Sequence, residues 1–173
     1  RSILSAVGSL KGNVKAILGN LRPAGHHALG LHGAVEELVA FWKARNPELE
    51  FTVDLPERSF GARIDSAMQA IIGESVSNAV KHAGPHRISI KVSDTTAGIR
   101  IEVGDDGSGL KNKASRDGGH GILGMKERAQ NLGGHLDVLP GRNGRGVMVS
   151  AVLPFPAAAR AAANETIREA LAS

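Results

Sequence analysis

The stretch "ESVSNAVKHAG", Glu74 to Gly84, places a carboxylate, an amide, an ammonium and an imidazole at spacings of four, three and one: Glu74, Asn78, Lys81 and His82. On a helix turning about 100° per residue, Glu74, Asn78 and Lys81 share a stripe about 60° wide. Met68, Ile72, Val76, Ala79 and Val80 fall on the opposite side, so the polar stripe is not core. Glu74 and Lys81 stand at i, i+7, too far apart for a helical salt bridge. A carboxylate, an amide oxygen and an ammonium on one stripe suit a hydrated Mg²⁺ held against phosphates, because Mg²⁺ takes few protein oxygens and completes its shell with water and phosphate. Read alone, the stripe is more simply a solvated face.

Two glycine clusters in "GDDGSGLKNKASRDGGHGILGM", Gly104 to Met125, bear on that choice. Asp105-x-Gly107-x-Gly109 ends an alternating apolar segment, and its carboxylate is suited to accept from an exocyclic amine such as that of adenine. Gly119-x-Gly121-x-x-Gly124 matches the dinucleotide fingerprint only formally. A Rossmann loop follows a strand directly, whereas polar residues 112–117 precede this one. No Gly-x-x-x-x-Gly-Lys-Ser/Thr is present. What remains is a glycine cluster opening a helix, whose free N–H groups suit phosphate. The competing reading is that these glycines only make turns.

The elements that must position these residues follow from periodicity. Ile3, Val7, Leu10, Val14, Ile17 and Leu21 form a heptad seam, expected of a helix that packs along another and ends at Arg22-Pro23. A second helix is expected from Leu31 to Arg45, with Leu31, Val35, Leu38 and Trp42 on one face. Alternation at Phe51, Val53 and Leu55 predicts a strand, and helical period returns from Ala62 to Ala83. Ile88, Ile90 and Val92, a turn from Asp94 to Gly98, then Ile99, Ile101 and Val103 predict an antiparallel pair. The polar stretch from Gly104 to Gly121 is longer than an ordinary connection. A helix from Ile122 to Leu132 and a second hairpin follow, the latter turning around Gly141 to Gly146 and ending at Leu153. An Ala-rich tail, residues 157–173, is expected to be helical. Helices alternating with antiparallel hairpins describe an α+β, two-layer sandwich with one sheet covered by helices on one face.

Composition narrows the partners. With 42% hydrophobic and 22% charged residues the chain is expected to fold. Four Phe, one Trp and no Tyr leave the core to Ile, Leu, Val and Ala. The absence of cysteine excludes disulfides and thiolate metal sites. The net charge of +4 is scattered and not interleaved with aromatics, so no direct nucleic-acid partner is expected. No apolar run approaches the roughly 20 residues of a membrane span, and no signal peptide is read. A cytoplasmic location without membrane contact is expected for these residues, whether or not a longer protein is anchored. The first residue is Arg1, not Met, so a longer parent is expected.

In order and spacing, Glu74-x-x-x-Asn78-x-x-Lys81-His82, Asp105-x-Gly107-x-Gly109 and Gly119-His120-Gly121-Ile122-Leu123-Gly124-Met125 resemble the GHKL ATPase module. They look most like the catalytic, ATP-binding domain of sensor histidine kinases whose partners are NarL-type response regulators. "LRPAGHHALGL" (Leu21 to Leu31), "ERAQNLGG" (Glu127 to Gly134) and "GRGVMVSAVLP" (Gly144 to Pro154) also resemble that subgroup. The resemblance implies a GHKL/Bergerat-type fold with a mixed sheet, and four parts. These are residues 1–22, part of a helical dimerisation hairpin; 23–30, a linker; 31–156, the ATP-binding domain; and 157–173, the tail. It implies ATP and Mg²⁺ as cofactors, a homodimer through the helical segment, and a NarL-type regulator as partner. It makes Asn78 the Mg²⁺ ligand and Glu74 a metal-site or water-orienting carboxylate. Lys81 and His82 become phosphate or ribose contacts, and Asp105 the adenine reader. Gly107 and Gly109 shape the adenine end, Gly119, Gly121 and Gly124 hinge a lid over the phosphates, and His120, Ile122, Leu123 and Met125 of the same segment are implied as further nucleotide-binding residues.

Two departures stand out. Val147 occupies a position where the family often has Thr, which removes a hydroxyl contact. The early histidines His26, His27 and His32 follow Arg22-Pro23, where neither a helix seam nor an adjacent acid supports nucleophilic activation. The phosphoacceptor is therefore expected upstream of this chain. Rival readings with the same pocket are a GHKL ATPase, an anti-sigma-factor serine kinase, or a non-catalytic nucleotide-sensing dimerisation module.

Overall fold

The computed structural model describes residues 30–109, 120–141 and 144–155. The heptad helix, the linker apart from Gly30, the tail and Gly119 lie outside the described residues. In chain order the elements are α1 (Gly30–Arg45), β1 (Glu50–Asp54), α2 (Ala62–His82), β2 (Arg87–Thr95), β3 (Gly98–Asp105), α3 (His120–Gln130), β4 (His135–Pro140) and β5 (Val147–Leu153). The five strands form one sheet in the order β1-β2-β3-β5-β4. β1 and β2 run parallel and the other pairs antiparallel, so the sheet is mixed.

Strand alternation decides which face meets the helices. Ile88, Ile90 and Val92 of β2, Ile99, Ile101 and Val103 of β3, Val149, Ala151 and Leu153 of β5 and Leu136 of β4 are all buried on one face. α2 packs on them through Met68, Ile71, Ile72 and Val76, each without exposed surface. α1 covers one flank of α2 with Leu31, Val35 and Trp42, and α3 covers the other with Met125 and Ala129. The opposite sheet face is polar. There the β1–β2 register sets Glu50 beside Arg87 and Asp54 beside Lys91, giving ion pairs of 3.1 Å each. Exposed pairs of this kind contribute about 0–1 kcal/mol, so they fix register more than stability.

Among the described residues the expected elements are present with shifted ends. The first hairpin is longer than its apolar alternation: Thr95 pairs with Gly98, leaving a two-residue turn in which Thr95 Oγ1 donates to the Gly98 carbonyl at 2.8 Å. α3 starts at His120, two residues before the apolar period begins. It ends in a Schellman arrangement: Gly134 N–H donates to Ala129 O and Gly133 N–H to Gln130 O, with Gly133 at φ 79°. Val53, paired with Ile90, is still 40% exposed because β1 is the sheet's edge strand.

One stabilising device escaped periodicity. At the start of α2, Asp65 turns back on the entering chain: its Oδ1 accepts the buried Phe60 N–H at 3.0 Å and its Oδ2 the Ser59 hydroxyl at 2.6 Å. It is 7% exposed and serves the helix start as a capping side chain does. Replacing it leaves a buried N–H without a partner, so Asp65→Ala is expected to destabilise the fold by about 1–3 kcal/mol in chemical denaturation.

Candidate functional site

The stripe on α2 is half solvent, half site. Glu74 and Asn78 are partly buried, whereas Lys81 and His82, nearer the helix end, are exposed. Glu74 is covered because the first turn of α3 crosses it. A Cβ on Gly121 would stand 1.9 Å from Glu74 Oε1. One turn further, Ser75 Oγ donates to the Ile71 carbonyl at 2.7 Å and lies 3.4 Å from Met125 Sδ, so neighbouring residues of α2 meet neighbouring turns of α3.

The Asp105 loop is bound to the C-terminal end of the same helix. Ser108 N–H donates to the Ala83 carbonyl at 2.9 Å, one of the carbonyls that a helix end leaves free. Gly107 lies so close to that residue that a Cβ would be 2.5 Å from Ala83 O. Asp105 itself is half-buried at the end of β3. Its Oδ1 accepts Gly107 N–H at 2.9 Å and its Oδ2 accepts Val147 N–H at 3.3 Å. Burial pushes its pKa up; the two N–H donors pull it down, the Asp106 charge adds upward pressure, and the net shift is upward. Asp106 goes the other way. Burial is the largest single influence and raises it, but the N–H groups of Arg87 and His86, at 2.8 and 2.9 Å, with its own N–H and the His86 charge, together outweigh that and hold it below its ordinary value.

The β4–β5 turn closes on this loop, a role that the sequence reading gave only to a turn. Gly146, at φ 69°, donates its N–H to Gly107 O at 2.9 Å. Gly109, at φ 73°, faces Gly146 across 3.3 Å measured from the position of its absent Cβ. Val147 keeps a contact with Asp105 that needs no side chain, because its backbone N–H makes it. Gly141, Gly144 and Gly146 mark the turn in the sequence, but their spacing carries no signal of the contacts the turn makes.

The remaining residues divide by contact. Met125 is buried, Ile122 packs against the core, and His120 and Leu123 are exposed. A Cβ at Gly124 would meet nothing within 4 Å. His32 Nε2 lies 3.3 Å from the Leu55 carbonyl, a contact tying α1 to the segment after β1, and His26 and His27 lie outside the described residues. Among the described residues no group of three or more His, Cys, Asp or Glu is arranged to hold a metal. One carboxylate and one amide, Glu74 and Asn78, on successive turns of α2 nevertheless fit an ion that takes most of its ligands from water and phosphate.

Two glycines in the β4–β5 turn give a controlled comparison. Gly144 (φ 73°) has open space where a Cβ would go, whereas at Gly146 it would lie 1.7 Å from Asp105 O. Gly144→Ala is expected to cost only the left-handed backbone penalty, about 1–2 kcal/mol. Gly146→Ala is expected to cost more and to loosen the Asp105 loop, read as a larger drop in thermal midpoint.

Similarity to known proteins agrees with this geometry. Residues 64–157 match the model of the family described as histidine kinase-, DNA gyrase B-, and HSP90-like ATPase. The chain is 24% identical over 157 residues to the sensor histidine kinase LiaS of Bacillus subtilis, covering 90% of this chain and 43% of that protein. A second relative, a sensor-like histidine kinase of Chloroflexus aurantiacus, is 26% identical over 151 residues, covering 82% of this chain and 25% of that protein. The chain thus spans less than half the length of both curated relatives. The fold is shared with the histidine kinase domain of a blue-light activated histidine kinase from Erythrobacter litoralis (TM-score 0.62, 20% identity, 73% of this chain and 61% of that one). It is shared also with the ATP-binding domain of PrrB from Mycobacterium tuberculosis (TM-score 0.59, 20% identity, 74% and 96%). With the family model covering more than half of its residues, the chain belongs to the histidine kinase-, DNA gyrase B- and HSP90-like ATPases.

Proposed function

We propose that this chain is the ATP-binding catalytic domain of a two-component sensor histidine kinase, which passes the γ-phosphoryl of ATP to a histidine for relay to a response regulator of the NarL type. The whole protein works as a homodimer joined through the segment of residues 1–22. The observation that carries the reading is the attachment of the Asp105 loop to the end of the helix that bears Glu74 and Asn78, through Ser108 N–H and the Ala83 carbonyl. An adenine acceptor and a metal-bearing wall then face one cleft.

In that cleft Asp105 accepts from the exocyclic amine of adenine, and the glycine at 107 lets the loop lie against the helix end. Asn78, with Glu74, holds Mg²⁺, which supplies neutralisation of phosphate charge. Lys81 and His82 are exposed and free to reach ribose or phosphate oxygens. The first turn of α3, from His120, directs N–H groups toward the phosphates, while Met125 anchors the helix. Gly119, Gly121 and Gly124 act as the hinge of a lid. Positioning and electrostatic stabilisation then carry phosphoryl transfer. The acceptor is a histidine other than His26, His27 and His32.

Calorimetric titration of ATP with and without Mg²⁺ tests the assignment. Asp105→Asn is expected to weaken ATP binding by about 1.5–3 kcal/mol, the range for a hydrogen bond to a charged group. Asn78→Ala is expected to reduce the difference that Mg²⁺ makes. Unchanged affinity in both variants refutes the site.

The raised pKa of Asp105 sets a pH window. Its ionised form is disfavoured by burial, so protonation as pH falls through the raised pKa relieves the fold. The same protonation neutralises the adenine acceptor. ATP affinity is therefore expected to start falling at a higher pH than an unshifted aspartate would set, and Asp105→Asn is expected to lose that component. Incubation of the chain alone with labelled ATP is expected to give no acid-labile phosphohistidine at His26, His27 or His32. Label at any of them overturns the acceptor assignment, and hydrolysis without phosphotransfer to a supplied histidine helix favours an ATPase.

A further inference from the structure

Gly121 and Gly124 belong to one motif but stand in opposite surroundings. A Cβ on Gly121 would lie 1.9 Å from Glu74 Oε1 and 2.8 Å from its Cδ, whereas one on Gly124 would meet nothing within 4 Å. The approach at Gly121 is not an accident of a loose end. Met125, 2% exposed, lies 3.4 Å from the hydroxyl of Ser75, the residue after Glu74, and Ala129 of the same helix is fully buried. α3 is thereby fixed on α2 with its first turn over Glu74.

We propose that Gly121 is a positioning residue for Glu74: the space left by its missing side chain seats the Glu74 carboxylate, and nucleotide phosphates must empty that seat to reach the first turn of α3. A helix start favours a carboxylate through the same unpaired N–H groups that favour a phosphate. Two anions competing for one place repel each other, so carboxylate and phosphate occupy it in turn. The Glu74 carboxylate, at the far end of a flexible side chain, is the group able to leave. The seat itself rests on geometry alone, and its displacement by phosphate rests on the nucleotide-binding reading.

The seat is testable without nucleotide, by a double-mutant cycle on the full 173-residue chain. The readout is amide exchange at residues 124–127, whose N–H groups bond the carbonyls of the first turn of α3. Gly to Ala in a helix ordinarily slows such exchange by about five-fold, the equivalent of about 1 kcal/mol of helix propensity. Gly124→Ala is expected to do so in any background. Gly121→Ala is expected to do so only when combined with Glu74→Ala, and alone to leave exchange unslowed or faster, because its methyl evicts the carboxylate. Slowing of about five-fold by Gly121→Ala in both backgrounds overturns the seat. Saturating ATP·Mg²⁺ is then expected to abolish the dependence on residue 74. If ATP binds and the dependence persists, displacement is wrong; if ATP does not bind to the unmutated chain, the nucleotide reading fails while the cycle still decides the seat.

Discussion

The bond from Ser108 N–H to the Ala83 carbonyl, with Gly107 pressed against the same residue, is the constraint on which the site depends. Core packing already sets α2 on β3; the bond adds a direct tie between the loop that leaves β3 at Asp105 and the end of the helix that carries Glu74 and Asn78. The last carbonyls of a helix need partners that the helix cannot supply. Here one of them is met by the loop that follows β3. A requirement of helix termination thus ties the Asp105 loop to the helix that carries Glu74 and Asn78, and only a residue without a side chain tolerates the approach at position 107.

The adjacent carboxylates Asp105 and Asp106 show how the same loop divides its labour. Asp106 is surrounded by N–H donors from Arg87 and His86 and stays ionised, fastening the loop to the start of β2. Asp105 is half-buried, and its two N–H bonds do not offset the cost of burying charge. One residue is held as structure and its neighbour is left able to respond to a donor. A carboxylate buried at net cost is the kind of group that clusters at functional sites, and it is the group to which the proposed function gives the adenine amine.

Periodicity made the core legible. Apolar alternation in β2, β3 and β5 and the 3.6-residue period of α2 are local signals, and the buried residues follow them closely. Ends of elements were less legible because tertiary hydrogen bonds, not side-chain pattern, extend them. β2 runs to Thr95 because its backbone continues to pair past the last buried residue, and α3 begins at His120 before any apolar residue marks it. The candidate site was legible as residue types but not as contacts. Nothing in the spacing of Gly146 and Val147 announces that their backbone N–H groups reach Gly107 and Asp105, since those pairs are separated by about forty residues and joined only by the sheet order β3-β5.

Glycine richness therefore has no single meaning in this chain. Gly133 ends a helix through its positive φ, and Gly144 turns a hairpin in open space. Gly107, Gly121 and Gly146 are there because another chain segment occupies the place of a side chain: a helix carbonyl, a carboxylate and a strand carbonyl respectively. The loss of a threonine hydroxyl at Val147 matters less than its sequence position suggests, because the contact to Asp105 is made by a backbone group that any residue other than proline carries. The arrangement of these loops thus rests as much on absent side chains as on present ones, and backbone hydrogen bonds carry it.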